Sequence, residues 1–248
     1  MVLIMNCVHV EGLSRLFNGV KAIDNIYFDA ECGDSVALIG PNGAGKTTTL
    51  RILAGLLRPT SGIVRICGYD PFTESEKAKS CIGYLPEDAV PFLNLTVREN
   101  LEYVAILRRI SDVRGTIEDV MRLLDLTEIA NKVVASLSRG NRQRVAIAMA
   151  LIHRPRVLLL DEPLNYLDIP TQEKVIRLFK ELSDSGTTII VSTHIMSIAE
   201  RLARRALIMN RGRIIWRGSI EELNKIAKLS GNAIEEVIIK LLEEESPN

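Results

Sequence analysis

The feature that most constrains the fold is a glycine-rich loop at residues 40–48, which reads GPNGAGKTT. Residues 35–39 are apolar and short, as in a buried strand, and residues 48–57 carry apolar side chains at helical spacing. The pattern G-x-x-x-x-G-K-[ST] between a strand and a helix is typical of phosphate-binding loops. The alternative, an ordinary glycine-rich turn, does not explain this setting, so the sequence predicts a nucleotide site.

The chemistry of phosphate binding explains these residue types. Glycines let successive backbone N–H groups curl around phosphate oxygens, and the helix N-terminus adds partial positive charge. Lys46 is expected to reach the β- and γ-phosphates, and the Thr47 hydroxyl to bind Mg²⁺. The residues predicted to form this cradle for ATP are Gly40, Pro41, Asn42, Gly43, Ala44, Gly45, Lys46, Thr47 and Thr48.

Composition limits the class of partner. The 248 residues contain 31 Lys plus Arg and 31 Asp plus Glu, so the formal net charge is zero. A protein that binds nucleic acid through a broad basic face needs an excess of positive charge. We therefore expect no nucleic-acid partner. No apolar run approaches the roughly 18 residues of a membrane span, so none is predicted.

The cysteines and the N-terminus carry two further expectations. Four cysteines are scattered without C-x-x-C spacing, at positions 7, 32, 67 and 81. They are predicted to be small buried thiols in a reducing compartment, with neither a metal nor a disulfide framework. Residues 1–5 are apolar but short and lack a positive start, so no signal peptide is predicted.

The chain opens with a predicted hairpin. Residues 8–16 and 20–28 have the pattern of two strands around a turn at Asn18-Gly19. Phe17 precedes the turn and could either stack on an adenine ring or belong to the hairpin core; the sequence favours neither. Further strands are predicted at residues 63–66 and 82–85, with a short helix at residues 74–80 between them.

The pattern becomes helical at residues 96–151 and then returns to strands. A capping box starts a helix at Thr96, and further helices are predicted at residues 116–124 and 141–151. Strands are predicted at residues 157–160 and 187–192, with a helix at residues 170–184 between them. A hairpin follows, and then two tail helices, one from residue 219 onward and one at residues 232–244. This indicates an α/β core (1–86 and 152–218), a helical insertion (87–151) and a helical tail (219–248).

Polar residues follow two of the apolar strands. Asp161-Glu162 ends one strand and His194 follows another. In a parallel sheet these ends share one edge with the phosphate loop, so they can meet at one phosphate. Asp161 suits Mg²⁺, and Glu162 suits the activation of water. Alone, Asp161-Glu162 could be a helix-capping pair before a proline, and His194 a structural group; the phosphate loop favours the catalytic interpretation.

A resemblance to a known family rests on residues 135–145, which read ASLSRGNRQRV. They resemble the signature motif of ABC transporter ATPases, 23 residues before Asp161 as is usual in that family. The resemblance extends over residues 17–218. It implies a P-loop NTPase fold with a RecA-like, mainly parallel core, an N-terminal antiparallel β subdomain and an inserted α-helical subdomain.

The resemblance also implies roles for individual residues. Phe17 would stack on adenine, residues 42–48 would form Walker A, and residues 165–168 would be the D-loop. The catalytic set would be Glu162, His194 and Lys46, and the metal set Thr47, Glu87 and Asp161. The γ-phosphate of ATP on the other subunit would be contacted by Ser138, Gly140 and Asn141.

Four features depart from the family pattern. Glu87 stands where the family has a loop glutamine, which adds negative charge beside phosphate. Arg139 replaces the first glycine of the signature and Asn141 its glutamine; Arg139 could disturb metal at the interface or point to solvent. Asn165-Tyr166 stands where the D-loop has small residues. These departures bear on turnover more than on ATP binding.

The family implies an ATP-hydrolysing subunit that dimerises, with a copy of itself or a homologous subunit, around two Mg-ATP. It would act at the cytoplasmic face of the membrane on a separate integral membrane permease. Residues 85–87 and 234–241 resemble the ABC-2 exporter branch. The alternative is a soluble ABC-type ATPase of a protein-assembly or cofactor-assembly machine; a small-molecule phosphotransferase is disfavoured by the signature.

Overall fold

The computed structural model describes residues 6–89, 91–230 and 233–244. The first part of the chain forms β1 (Asn6–Phe17), β2 (Val20–Glu31), β3 (Ser35–Ile39), α1 (Lys46–Leu53), β4 (Ser61–Ile66), α2 (Ser75–Cys81) and β5 (Ile82–Leu85). The middle part forms α3 (Val97–Leu107), α4 (Val113–Leu123) and α5 (Arg139–Leu151), with short 3-10 turns at Thr127–Ile129 and Val134–Ser136.

The last part alternates strands and helices before the tail. It forms β6 (Val157–Asp161), α6 (Ile169–Asp184), β7 (Thr188–Thr193), α7 (Met196–Leu202), β8 (Arg205–Asn210), β9 (Arg213–Ser219), α8 (Ile220–Ser230) and α9 (Ile234–Glu244). The predictions for residues 1–5 and for the start of the second tail helix at 232 lie outside the described residues. No described helix is both long enough and apolar enough to cross a bilayer.

Two sheets organise the described residues. The larger has the order β5-β6-β7-β3-β8-β9, in which all neighbours are parallel except β8 and β9. The smaller is antiparallel, with the order β2-β1-β4. The predicted α/β class, with a mainly parallel core sheet and a separate antiparallel β unit, is confirmed.

The core strands of the larger sheet are buried on both faces. Successive side chains of β6 divide between two apolar clusters, so that Leu158 and Leu160 pack in one, while Val157 and Leu159 pack in the other. Strands covered on both faces read as continuous apolar runs rather than alternating ones. This explains why residues 157–160 have no polar member.

The hairpin between β1 and β2 forms at the predicted turn. Phe17 pairs with Val20, and the two turn residues, Asn18 and Gly19, have φ values of 48° and 83°. A two-residue turn with positive φ at both positions matches the right-handed twist of its strands, and the sequence Asn-Gly favours it.

Helix α1 is displaced from its predicted range of 48–57. It begins at Lys46 and ends at Leu53, because Gly55 adopts a φ of 68° and closes the helix. The Gly55 N–H donates to Ile52 O at 3.0 Å and the Leu56 N–H to Arg51 O at 2.9 Å. These two bonds are those of a Schellman C-cap, which satisfies carbonyls at a helix end.

The expectation that all four cysteines are free thiols is wrong. Cys7 and Cys32 form a disulfide, with Cα atoms 4.8 Å apart. The antiparallel register of β1 and β2 brings the two residues together across 25 positions, so no short spacing motif in the sequence predicts the disulfide. Cys67 and Cys81 are free, Cys67 buried and Cys81 partly exposed.

Two side chains join the helical segment to the edge strand β5. Arg108, which follows α3, donates to Lys79 O at 2.5 Å and to Ile82 O at 3.3 Å. His153, which follows α5, has Nε2 2.8 Å from the same Ile82 carbonyl, so Nε2 carries the proton. The other ring nitrogen, Nδ1, is buried without a hydrogen-bond partner.

This environment keeps His153 neutral. Burial, aided by the nearby Arg108 charge, lowers the pKa of His153 from 6.5 to about 4. A proton on Nδ1 would be buried without an acceptor, which explains the direction of the shift.

We predict that His153→Gln flattens the pH dependence of stability below neutrality. Between about pH 6.5 and 4 the unfolded chain binds a proton at His153 that the folded chain does not. Stability therefore falls as the pH falls, by roughly 2 kcal/mol at pH 5 relative to pH 7. Urea unfolding of both proteins at pH 7 and pH 5 measures this difference. Equal losses in the two proteins would show that His153 does not titrate as described.

Candidate functional site

The register of the parallel sheet sets the positions of the candidate site. Asp161, the last residue of β6, pairs with Ser192 of β7, and Ile39, the last residue of β3, pairs with Thr193. The phosphate loop, Glu162 and His194 are therefore the next residues along three adjacent strands. Their side chains and backbone groups converge at the carboxyl edge of the sheet, as expected for an α/β ligand site.

A cavity of about 450 Å³ opens at this edge. It is formed by the loop, the carboxylates and one aromatic ring. Its lining residues are Phe17, Ala22, Asn42, Gly43, Ala44, Gly45, Lys46, Thr47, Thr48, Glu87, Asp161 and Glu162. Gly40 and Pro41, the first two residues of the loop, are not among the lining residues. The structure thus brings together most of the predicted nucleotide residues and all three predicted metal-binding residues.

Lys46 is the buried cation of the site. Its Nζ donates to Gly40 O at 2.7 Å and to Pro41 O at 3.1 Å, which curves the loop around the ammonium group. Burial lowers the pKa of Lys46, and the negative charges of Glu162, Asp161 and Glu87 oppose that shift in decreasing order. These carboxylates stabilise the charged form of Lys46, so it can neutralise phosphate.

The N-terminus of α1 is open toward the cavity. Gly45 occupies the N-cap position with φ of 105° and no side-chain cap. A Cβ atom there would lie 2.7 Å from the Ala22 carbonyl oxygen, so only glycine fits both the space and the backbone angle. The first N–H groups of the helix therefore lack a side-chain acceptor and can bind an anion.

Asp161 has the surroundings of a metal ligand. Its side chain is 1% exposed; Ser192 Oγ donates to Oδ1, and Oδ2 is buried without a hydrogen-bond partner. An unpaired buried carboxylate oxygen beside a cavity fits a bound cation. The described residues hold no cluster of three or more His, Cys, Asp or Glu able to bind a metal alone. This fits Mg²⁺, which usually takes one or two carboxylates together with substrate phosphates.

Glu162 and His194 are in direct contact. Glu162 Oε1 lies 2.7 Å from His194 Nδ1 and accepts from the His194 backbone N–H at 3.0 Å. Thr193 Oγ1 donates to the other carboxylate oxygen at 3.2 Å. The side chain of Glu162 is 7% exposed, whereas that of His194 is 51% exposed. The two groups therefore form one unit, with the carboxylate buried and the imidazole exposed; Glu162 lines the cavity, whereas His194 is not among its lining residues.

Glu87 and Phe17 also line the cavity. Partial burial, followed by the negative charges of Asp161 and Glu162, raises the pKa of Glu87. Phe17 is 43% exposed, and the Arg15 guanidinium lies 4.5 Å from its ring centroid. Of the two sequence alternatives for Phe17, this exposure is inconsistent with a hairpin-core residue.

The signature residues lie elsewhere in this chain. Ser138 caps α5 by accepting from the Asn141 N–H at 3.3 Å, and the side-chain Oδ1 of Asn141 accepts from the Arg144 guanidinium. Together with Gly140 they form the N-terminal turn of α5. None of the three is among the residues lining the cavity in the described part of the chain.

Several neighbours of the site are missing from the sequence-based set. Ser192 donates a hydrogen bond to Asp161, and Thr193 donates one to Glu162. The sequence feature that could have indicated them is their position directly before His194. The Tyr84 hydroxyl is buried without a hydrogen-bond partner; burial, then the Asp161 charge, raises the pKa of Tyr84. Gln143, on α5, donates to Pro163 O at 3.0 Å. Gln143 could have been found from the sequence as a polar residue within the apolar face of a predicted helix.

This fold and this site define a class: a P-loop nucleotide-binding protein with a helical insertion. The comparisons with known proteins give the family. A family model described as "ABC transporter" matches residues 23–165, more than half of the chain. The chain belongs to the ABC transporter family, as an ATP-binding subunit with ATP hydrolase activity.

Named relatives support this assignment. An uncharacterised ABC transporter ATP-binding protein of Bacillus subtilis, YxlF, is 35% identical over 87% of this chain and 72% of its own length. A bacitracin transport ATP-binding protein of Bacillus licheniformis, BcrA, is 35% identical over 86% and 70%. A sulfate/thiosulfate import ATP-binding protein of Synechococcus elongatus, CysA, is 35% identical over 87% of this chain but 63% of its own.

Solved structures agree with the fold. An ATP-binding subunit of an ABC transporter superposes with a TM-score of 0.88, at 29% identity, covering 95% of this chain and 99% of that chain. A dimeric ATP-binding cassette in a post-hydrolysis state, bound to ADP and Pi, gives a TM-score of 0.78 at 27% identity, covering 86% and 98%. The predicted fold class and family are confirmed.

We predict that Lys46→Ala weakens ATP binding by about 10- to 100-fold, because it removes a charge-assisted contact of about 1.5–3 kcal/mol. Calorimetric titration of ATP into each protein measures the change. Lys77→Ala is a matched control, since Lys77 is exposed, pairs with Glu74 at 3.3 Å, lies over the Tyr69 ring at 5.3 Å and does not line the cavity. An unchanged ATP affinity in Lys46→Ala would contradict the assigned cradle.

Proposed function

We propose that two copies of this chain, or one copy and a homologous subunit, enclose two Mg-ATP and drive a separate integral membrane permease. The observation that carries the proposal is that, within one chain, the signature residues do not line the nucleotide cavity. The loop, carboxylates and Phe17 line one cavity, whereas Ser138, Gly140 and Asn141 form the helix N-terminus of α5 away from it. A second subunit can supply that anion site to the γ-phosphate.

The proposed assignment of roles follows the geometry. Phe17 stacks on adenine, the loop and Lys46 hold the phosphates, and Glu162 orients and deprotonates the attacking water. The water oxygen bonds to the γ-phosphorus while the bond to the β-phosphate oxygen breaks, which releases ADP and Pi. His194 holds the Glu162 carboxylate at 2.7 Å, and its half-exposed ring is free to contact the γ-phosphate.

The proposed metal residues are Thr47, Asp161 and Glu87. Bound Mg²⁺ would neutralise phosphate charge and orient its oxygens. The unpaired Asp161 Oδ2 is the oxygen best placed to hold it, and Ser192 fixes the other oxygen of that carboxylate. Glu87 adds a third carboxylate at the cavity wall, and partial burial, followed by the negative charges of Asp161 and Glu162, raises its pKa.

A second surface supports coupling to another protein. An apolar groove of about 350 Å³ lies between β5, α3 and α5, and its wall includes Leu56, Val104 and Met149. Large apolar side chains are exposed on and around it: Leu56, Phe92, Leu93, Tyr103, Ile106 and Leu107. Exposed apolar patches of this kind mark protein–protein contacts. We assign the groove, with the segment around residues 87–96, to the permease; Val90 lies outside the described residues.

This assignment places the chain at the cytoplasmic face of the membrane, bound through its partner. We favour export because residues 85–87 and 234–241 resemble the ABC-2 exporter branch. The relatives' names include both sulfate/thiosulfate import and bacitracin transport at equal identity, so identity does not choose between directions. The second candidate is an ATPase of an assembly machine, in which the same apolar groove would bind a soluble scaffold.

We predict that Glu162→Gln keeps ATP binding, lowers the rate of hydrolysis by at least about 100-fold, and leaves an ATP-dependent dimer. The amide cannot accept the proton from water, while the loop and Lys46 remain intact. Phosphate release and light scattering with ATP measure both properties. Normal hydrolysis would place the base elsewhere.

A second substitution in that background tests the shared site. Ser138→Arg added to Glu162→Gln should abolish the dimer, because a bulky side chain fills the anion site at the N-terminus of α5, yet leave the ATP affinity of the monomer unchanged. A dimer that persists would contradict the proposed role of the signature.

We predict that Leu56→Asp lowers binding of the membrane partner at least about 10-fold, because it buries a charge in the apolar groove. ATP affinity should stay unchanged. Leu229→Asp is the matched control: Leu229 is 89% exposed on α8, outside the groove. Co-purification followed by identification of the bound protein measures the effect. Recovery of a soluble scaffold in place of a polytopic membrane protein would favour the second candidate.

A further inference from the structure

Two of the four departures from the family pattern contact each other. The Arg139 guanidinium carbon lies 4.0 Å from the ring centroid of Tyr166. Arg139 opens α5, and Tyr166 lies in the loop between β6 and α6. The sequence offers two alternatives for Arg139: it disturbs metal at the interface, or it points to solvent. Neither alternative includes the contact with Tyr166 that the structure shows. In the described part of the chain, no carboxylate pairs with Arg139, and the guanidinium instead makes a cation–π contact with the Tyr166 ring.

The backbone of Tyr166 is held in an unfavourable conformation. Its φ is 66°, in the left-handed region that a bulky residue rarely adopts. Gly140 packs against this residue so closely that a Cβ atom there would lie 2.8 Å from Tyr166 O. Such conformations persist only where surrounding contacts enforce them. At Tyr166 the contacts are the backbone of Gly140 below and the guanidinium of Arg139 over the ring.

The same loop begins at Glu162. Glu162 has φ of 47°, and the Asn165 N–H donates to its carbonyl oxygen at 3.2 Å, which closes a turn immediately before Tyr166. Gln143, one turn along α5 from Arg139, holds Pro163 O at 3.0 Å. The N-terminal half of α5 therefore contacts this loop at two points, Pro163 within the turn and Tyr166 directly after it.

We propose that Arg139 and Tyr166 form a positioning pair for Glu162. The contact between the guanidinium and the ring holds the strained loop, and the loop holds the backbone from which the Glu162 carboxylate extends. Neither residue touches the reacting atoms in this role. The inference rests on the proposed function of Glu162 as the group that activates water, and it gives a use to two residues that otherwise only depart from the family pattern.

An exposed cation–π contact stabilises one conformation over others by a factor of about two to five. We therefore expect Arg139→Met, which keeps the apolar stem and removes the charge, to lower kcat by about two- to fivefold with the KM for ATP unchanged. Tyr166→Leu should do the same. Because both remove one contact, the double variant should be no slower than the slower single variant.

Conservative variants separate positioning from a general loss of structure. Arg139→Lys and Tyr166→Phe keep a cation and a ring, so each should restore most of kcat. Arg58→Met is the matched control, because Arg58 lies over the Phe72 ring at 5.4 Å, outside the site, and its kcat should equal that of the unmodified chain. The experiment is steady-state phosphate release at a series of ATP concentrations for the full chain.

A parallel measurement tests the competing role, in which Arg139 contacts nucleotide across a dimer. Arg139→Met in the Glu162→Gln background should form the ATP-dependent dimer at the same ATP concentration as Glu162→Gln alone. Loss of that dimer would overturn the pair, as would an unchanged kcat in Arg139→Met or independent, multiplying effects of the two substitutions. Failure of Glu162→Gln alone to dimerise would instead count against the proposed function.

Discussion

The candidate site depends on the register between three parallel strands. β6 is aligned with β7 so that Asp161 faces Ser192, and β3 is aligned with β7 so that Ile39 faces Thr193. A shift of one residue in a strand turns every side chain to the other face of the sheet. Asp161 would then lose its Ser192 contact and leave the edge where the phosphate loop begins. Alternate side chains of β3, β6 and β7 pack into two different apolar clusters, and this specific packing opposes such a shift.

Much of this arrangement could be predicted because it depends on local chemistry. The Asn-Gly turn, the capping box at Thr96 and the glycine-rich loop each carry their conformation in a few residues. Apolar runs that end in polar residues also predicted where the strands stop. The prediction that polar strand ends share one edge needed only the parallel class of the sheet.

What could not be predicted depends on contacts between distant residues. The Cys7–Cys32 disulfide follows from the pairing of β1 with β2. Helix α7 is seven residues long, too short for its apolar pattern to be distinguished from a loop. The hydrogen bonds of Ser192 and Thr193 to the carboxylates depend on the register itself. Sequence showed that residues converge, and three-dimensional structure was needed to show which atoms meet.

Charge explains why the site suits a highly charged ligand. The cavity wall contains the buried ammonium group of Lys46 and three carboxylates, those of Asp161, Glu162 and Glu87. Negative groups therefore outnumber this positive group in the wall. Phosphate alone would be repelled by those carboxylates, and a divalent cation alone would leave the cradle N–H groups without acceptors. A nucleotide with its cation satisfies both. If the site binds Mg-ATP as proposed, we expect Glu87 to make it more dependent on the cation than a neutral glutamine would.

The loop after β6, where the chemistry is expected, contains backbone strain. Glu162 and Tyr166 both have positive φ, and each such residue costs about 1 kcal/mol or more. A loop free to relax would lose this geometry, so something outside the loop must hold it. His194 and Thr193 hold the Glu162 side chain from the sheet, and α5 holds the loop from the helical insertion through Gln143, Gly140 and Arg139. The position of the carboxylate thus depends on contacts from both parts of the molecule, and we expect movement of one part relative to the other to change it.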